Sequence, residues 1–173
     1  TGSGGLNDSF PTVSLIDGIK NAGFEINEDL VKFYTDFRAK RPTVGMWGQD
    51  WTIPEPSIEQ YKEANIFENA RNYSDKAVVV IARSGGEGAD LPRSLDPSVE
   101  DTFVDGGTFG SKGLRYSDQK DDLDANKSYL QLSNREAAML DAVNKTFKDI
   151  VVIVNSANPM ELGFVNDYEN ISS

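Results

Sequence analysis

Apolar side chains recur every three or four positions in several stretches of the chain, which is the spacing of one face of an α-helix. The first stretch predicts a helix of about three turns before Gly23, a residue suited to a left-handed cap. The second begins at Asn27, whose side chain can cap a helix, and ends before Pro42. A third helix is predicted over residues 57–72.

Two further helices are predicted in the last part of the chain. Residues 133–147 have a helical apolar stripe, and Ser133 and Glu136 have the spacing of a capping box. Asn158 and Pro159 are predicted to be the cap and the first residue of a last helix.

Two runs, 76–82 and 149–155, are apolar without any polar alternation. This pattern is typical of strands that are buried on both faces of a parallel sheet. Because helices alternate with these strands, the predicted fold is α/β, a layered sandwich with a mainly parallel sheet flanked by helices. We expect residues 1–173 to form a single domain. Within it, about 91–127 is predicted to be a long, acidic and partly mobile insertion, since no period is sustained there.

The composition excludes several kinds of chemistry. The 173 residues carry a formal net charge of -11, so neither nucleic acids nor membrane surfaces are expected partners. The chain has no Cys and no His, which removes thiolate nucleophiles, the usual general base and the most common zinc ligand. The acidic insertion lacks the residue register of a calcium loop. We therefore predict no metal and no cofactor, and chemistry limited to carboxylate, hydroxyl, lysine or tyrosine groups.

The first apolar run leads into the sequence RSGGEGAD, in which glycines surround a single carboxylate, Glu87. Ligands of open parallel sheets bind outside the carboxyl ends of the strands. The residues alone leave two interpretations equally open: a tight turn with a solvated glutamate, or a ligand site. A nucleotide phosphate loop is disfavoured because no Gly-Lys-Ser/Thr follows.

Four segments together resemble the α/β-sandwich domain of family 3 glycoside hydrolases, the β-glucosidase type. They are TGSGGLND, SLIDGIKNAGFEIN, VVVIARSGGEGADL and YLQLSNREAAMLDAVNKTFKDIVVIVNSANPMELGF. The resemblance covers most of the chain apart from the Trp-rich residues 44–56 and the acidic insertion. It implies a retaining β-glycosidase that hydrolyses β-glucosides or oligosaccharides in carbohydrate metabolism.

The resemblance implies that Glu87 is the general acid/base of that reaction. The family has this glutamate in a Ser-Gly-Glu-Gly-x-Asp pattern, which the present sequence matches with Gly85 as one extra residue. The neighbouring residues expected to bind substrate are Arg83, Ser84, Gly86 and Asp90.

The resemblance also implies a partner domain in the same polypeptide. In the family, a barrel domain supplies an aspartate nucleophile, and the sandwich has a further strand at each end. We therefore expect the chain to be a fragment of a larger enzyme that lacks these outer strands and is inactive by itself. A non-catalytic carbohydrate-binding or interaction module with the same fold is the alternative. A soluble, cytoplasmic location in a bacterium is expected.

Overall fold

The computed structural model describes residues 11–41, 52, 54–83, 91–100, 102, 116–156 and 158–173. The chain divides into two compact units, Thr1–Arg41 and Pro42–Ser173, which are described separately. The helices that the structure describes are all too short and too polar to cross a bilayer.

The first unit contains two helices, α1 (Leu15–Asn21) and α2 (Glu28–Ala39). The predicted three-turn helix is about one turn shorter because Ser14 and Asp17 form a capping box that starts α1 at Leu15. Gly23 follows α1 with a φ of 88°, so the predicted left-handed glycine is confirmed.

The start of α2 is also confirmed. The Oδ1 of Asn27 accepts hydrogen bonds from the backbone N–H groups of Asp29 and Leu30, both at 3.1 Å. These bonds satisfy two of the donors that a helix leaves free at its first turn.

The second unit begins with two short helices, α3 (Ile58–Glu63) and α4 (Ile66–Tyr73). The prediction of one continuous helix over residues 57–72 is therefore wrong. Asn65 separates the two helices because its backbone is left-handed, with φ 50° and ψ 37°. Asparagine tolerates this conformation better than most residues, so the helical period continues in sequence while the helix axis does not.

A parallel sheet forms the centre of the second unit. Strands β1 (Lys76–Arg83) and β2 (Asp149–Ser156) pair in parallel, and the last pair in register is Arg83 with Ser156. Ile171 forms a further parallel bridge with Ile150, and the N–H of Ser172 donates to the carbonyl of Ile150 at 2.9 Å. The predicted parallel pairing of the two apolar runs is confirmed.

The prediction that both faces of β1 are buried is wrong. Val79 and Ile81 are buried, but Val78 is 53% exposed and Val80 is 40% exposed. Alternate residues of a strand point to opposite faces, so only one face of β1 contributes to the core.

Helix α5 (Asn134–Thr146) packs against β1 and against both α3 and α4. Its predicted start is confirmed, since Ser133 and Glu136 form a capping box. The side chains that form the core around it are buried and mostly aliphatic, namely Tyr61, Ile66, Val79, Ile81, Met139, Leu140, Val143, Phe147 and Ile150.

The helix predicted from Pro159 is absent from the described residues. A short 3-10 helix, Gly163–Asp167, follows instead. The backbone N–H of Glu161 donates to the carbonyl of Leu130 at 3.1 Å, and its carboxylate accepts from the Ser128 hydroxyl at 3.0 Å, so long-range hydrogen bonds hold this stretch in a non-helical conformation.

Candidate functional site

The predicted site residues follow the carboxyl end of β1. Arg83 is the last residue of β1 and is buried. The other predicted residues, Ser84, Gly86, Glu87 and Asp90, lie outside the described residues, in what we call the Glu87 segment, residues 84–90.

All five N–H donors of the Arg83 guanidinium have partners within the chain. Nη1 and Nη2 donate to the two carboxylate oxygens of Glu136, at 2.7 and 2.8 Å. Nε donates to the carbonyl of Tyr129 at 3.0 Å, Nη1 also donates to that of Ala82 at 2.7 Å, and Nη2 to that of Gln131 at 2.6 Å. A guanidinium has no further donor, so a ligand could bind Arg83 only by displacing one of these bonds.

Two tyrosine rings enclose the same guanidinium. Its central carbon lies 4.4 Å from the ring centroid of Tyr116 and 6.0 Å from that of Tyr129, within the range of a cation–π interaction. The two rings meet edge to face, with centroids 6.3 Å apart. Together with Leu95 they form a second buried cluster.

Electrostatics in this buried setting favour a charged arginine and neutral tyrosines. Burial lowers the pKa of Arg83, but the hydrogen bonds and charge of Glu136 outweigh it and leave the pKa above its usual value. Burial, reinforced by the charge of Glu136, holds the pKa of Tyr116 well above the usual range. Burial also raises the pKa of Tyr129 to about 12.

Glu136 joins Arg83 to the first turn of α5. Besides the two bonds from Arg83, its carboxylate accepts a hydrogen bond from the backbone N–H of Ser133 at 2.8 Å. In return, the backbone N–H of Glu136 donates to the Ser133 hydroxyl at 3.2 Å. One carboxylate thus fixes both the start of a helix and the end of a strand.

Residues 127–133, which we call the bridging segment, contact the chain on both sides of the Glu87 segment. On the amino side, two of its carbonyls accept from Arg83. On the carboxyl side, the N–H of Tyr129 donates to the carbonyl of Arg93 at 3.3 Å, and the N–H of Leu95 donates to the carbonyl of Lys127 at 3.0 Å. The residues just before and soon after the Glu87 segment are therefore both hydrogen-bonded to the bridging segment.

The bridging segment also contacts the chain that follows β2. The backbone of Leu130 accepts from Glu161, and the Ser128 hydroxyl donates to the Glu161 carboxylate at 3.0 Å. At the end of β2, the Ser156 hydroxyl donates to the carbonyl of Asn158 at 2.8 Å. The bridging segment thus forms hydrogen bonds with the chain that follows each of the two strands.

Two β-glucosidases are similar to the chain over nearly its whole length. The chain is 26% identical to a β-glucosidase of Ruminococcus albus over 171 residues, which is 97% of this chain and 14% of that protein. It is 24% identical to β-glucosidase A of Butyrivibrio fibrisolvens over 181 residues, 99% of this chain and 19% of that protein. The resemblance to β-glucosidases is therefore confirmed. The chain spans less than a fifth of the length of either relative.

A solved structure has a similar fold. A crystal structure described as that of a novel β-glucosidase from Paenibacillus barengoltzii matches with a TM-score of 0.61 and 24% identity, over 98% of this chain and 15% of that one. The match confirms the predicted α/β fold with a parallel sheet and helices packed beside it. No protein-family model matches the chain.

Sequence reasoning missed Glu136 and Tyr116 as partners of Arg83. A signal for Glu136 was present, because an arginine at the end of an apolar strand needs a carboxylate to be buried. The capping box with Ser133 already accounted for a glutamate at position 136, so the second role of Glu136, as the partner of Arg83, was not apparent. Tyr116 carries no such signal, since it lies in a stretch without a sustained period.

Among the described residues, no group of three or more carboxylates could hold a metal ion. Two acids of the predicted insertion contact α5 instead. Asp121 pairs with Arg135 at 2.7 Å, and the Oδ1 of the buried Asp122 accepts from the backbone N–H of Arg135 at 2.9 Å. This part of the acidic stretch is thus attached to the first turn of α5.

Proposed function

We propose that the chain is a domain of a retaining β-glycosidase of glycoside hydrolase family 3 that acts on β-glucosides, and that Glu87 is its general acid/base. The observation that carries this proposal is the similarity to β-glucosidases over nearly the whole chain. It is supported by the position of the Ser-Gly-Gly-Glu-Gly sequence directly after the carboxyl end of a parallel strand, where ligands of such sheets bind.

In this mechanism the reaction needs a second carboxylate, which we assign to a barrel domain of the same polypeptide. Retaining glycosidases hold their two carboxyl groups roughly 5 to 5.5 Å apart. The nucleophile attacks the anomeric carbon while Glu87 gives its proton to the departing glycosidic oxygen. Glu87 then removes a proton from the water that releases the sugar, so it returns to its acid form after each turnover.

The proton of Glu87 has to be retained near neutral pH until substrate is bound. A nearby negative nucleophile and exclusion of water both disfavour an ionised carboxylate and so raise its pKa. Both conditions depend on the second domain, and the proposal therefore requires the two domains to act together.

The proposal is tested with Glu87→Ala in the full-length protein. Cellobiose has a poor leaving group that needs protonation, so its kcat/KM should fall by roughly 10²- to 10⁴-fold. The dinitrophenolate of an activated dinitrophenyl β-glucoside leaves without protonation, so kcat/KM for cleavage of this substrate should fall far less. Azide should restore turnover of the activated substrate and form glucosyl azide. Equal losses on both substrates would contradict the assignment.

Glu63→Ala is the matched control, because Glu63 is an exposed glutamate on α3. It removes one carboxylate from the same domain and should leave both substrates unaffected.

A further inference from the structure

The Arg83–Glu136 pair is almost completely buried. The two side chains are 0% and 3% exposed. Removing two charges from water is costly, and apolar residues of similar volume are often as stable as a buried ion pair or more stable. What an ion pair adds over apolar packing is a defined geometry, since a bidentate guanidinium fixes both distance and angle.

The position of the pair gives this geometry a local consequence. Arg83 is the last described residue before the Glu87 segment, and its side chain holds the carbonyls of Tyr129 and Gln131. The N–H of Tyr129 in turn holds the carbonyl of Arg93, soon after the Glu87 segment ends. Through the backbone of Tyr129, the guanidinium thus connects Arg83 with Arg93, which lie on either side of the Glu87 segment.

We propose that Arg83 and Glu136 form a positioning pair, which sets the place of Glu87 relative to the glycosidic oxygen without touching substrate. The inference rests on the proposed function of Glu87 as general acid/base. It differs from the direct substrate binding expected for Arg83, because all five of its donors are already used inside the chain.

A positioning role makes a selective prediction about rates. Displacement of a catalytic group by about 1 Å can reduce the rate by roughly 10²-fold. Only steps in which Glu87 gives or takes a proton are sensitive to its position. Loss of the pair should therefore impair substrates with poor leaving groups more than activated ones, in the same sense as loss of Glu87 but by a smaller factor.

Two single variants of the full-length protein probe the pair. Arg83→Lys keeps the charge, but one ammonium cannot bond both Glu136 oxygens and the backbone carbonyls together. Glu136→Gln removes the charge but can retain the capping box, because glutamine serves at that position. Their effects are therefore separable from loss of the α5 cap.

The measurement is kcat and KM for a series of aryl β-glucosides of increasing leaving-group pKa and for cellobiose. All values are normalised to active sites titrated with a fluorinated glucoside that traps the glycosyl enzyme. We expect kcat/KM on the poorest leaving groups to fall roughly 10- to 100-fold and that on dinitrophenyl β-glucoside to change less than about threefold. The dependence on leaving-group pKa thus becomes steeper.

Arg135→Lys is the matched control. Arg135 is the residue before Glu136 and also pairs with a carboxylate, that of Asp121, but it has no hydrogen bond to the bridging segment among those described. It should lower the melting temperature while leaving the leaving-group dependence as in the wild type.

A double variant, Arg83→Met with Glu136→Leu, guards against poor folding of the single variants. It replaces the pair by apolar side chains and avoids an unpaired buried charge. We expect it to recover only part of the melting temperature, because the carbonyls of Tyr129 and Gln131 lose their donor, and to keep the steep leaving-group dependence. A return of the leaving-group dependence to that of the wild type would overturn the positioning role.

The two proposals fail differently. If Glu87→Ala does not steepen the leaving-group dependence, the proposed function is wrong and the positioning role is overturned with it. If Glu87→Ala does steepen it, but Arg83→Lys and Glu136→Gln reduce only the melting temperature, the positioning role alone is overturned.

Discussion

At the scale of single residues, the carboxylate of Glu136 accepts three hydrogen bonds. Its carboxylate binds the guanidinium of Arg83 and the backbone of Ser133, all out of contact with water. Hydrogen bonds to charged groups are stronger when they are buried. Removing one of the two partners is therefore unfavourable, because the other stays buried without a hydrogen bond.

The first prediction concerns stability. Glu136→Gln leaves the buried Arg83 without a counter-charge and should lower the free energy of opening of β1 by about 3 kcal/mol. Native-state hydrogen exchange on the amides of β1 in the full-length protein measures this quantity. Glu59→Gln, at an exposed position of α3, should leave it unchanged. A loss below about 1 kcal/mol would mean that water or another group solvates Arg83.

A second prediction concerns alkaline pH. An unfolded tyrosine has a pKa of about 10, whereas burial raises the pKa of Tyr129 to about 12 and holds the pKa of Tyr116 well above its usual value. The folded state binds these protons more tightly, so the contribution of Tyr129 to stability is complete below about pH 10 and is lost as the pH rises to about 12. The free energy of unfolding should fall by roughly 1.4 kcal/mol per pH unit for each buried tyrosine.

Tyr129→Phe should make the free energy of unfolding fall less steeply with pH, by the contribution of one tyrosine. Denaturant titrations between about pH 9 and 12 measure this fall. Tyr73→Phe is the control, because the Tyr73 side chain is 48% exposed. An unchanged slope in Tyr129→Phe would contradict the burial of this ring.

At the scale of elements, the break between α3 and α4 depends on one residue. Asn65 is the only non-glycine residue with a positive φ among the described residues. Its backbone N–H still donates to the carbonyl of Lys62 at 3.0 Å, and its carbonyl accepts from Asn69 at 3.2 Å. The turn is therefore well bonded despite its unusual conformation.

A third prediction follows for this turn. Asn65→Val should lower the free energy of unfolding by roughly 1 to 2 kcal/mol, because a β-branched residue resists the left-handed region. Asn65→Gly should be neutral or slightly stabilising, since glycine has no such penalty. Denaturant titration of the two variants side by side measures the difference. Equal stability would indicate that α3 and α4 join into one helix when valine is present.

The elements that the sequence predicted well are those in which a local pattern and the tertiary structure agree. The cap at Asn27, the capping box at Ser133 and the two apolar strands each depend on residues close in sequence. The elements that it missed were decided elsewhere. The stretch that was expected to be a helix from Pro159 is instead held by a hydrogen bond from Glu161 to Leu130, far earlier in the chain, and no local pattern contains that information.

At the scale of the whole molecule, the chain spans only 14% and 19% of its β-glucosidase relatives. The proposed function assigns the nucleophile to another domain. The fourth prediction is that the purified 173-residue chain does not hydrolyse dinitrophenyl β-glucoside above the buffer rate. Turnover by this chain would contradict the two-domain mechanism. Tight calorimetric binding of cellobiose without turnover would instead favour a carbohydrate-binding module.

The candidate site was partly predictable from sequence. Resemblance singled out Glu87 and the residues around it, of which Arg83 is described and is found at the expected strand end. The partner of Arg83 lies 53 positions away, and its ring contact Tyr116 lies in a stretch that follows no period. Such long-range pairing arises from packing, so neither contact could be deduced from local spacing.

Backbone hydrogen bonds of Leu95 with Lys127 and of Arg93 with Tyr129 hold together the two ends of the stretch between Leu95 and Lys127. Loop-closure entropy grows only with the logarithm of length, so doubling such a stretch costs about 0.6 kcal/mol. Insertions between Thr102 and Tyr116 leave the ring of Tyr116 against Arg83, so they should be nearly neutral for the sheet and for Arg83. In evolutionary terms, we expect homologues to differ in length there while the geometry at the strand ends is retained.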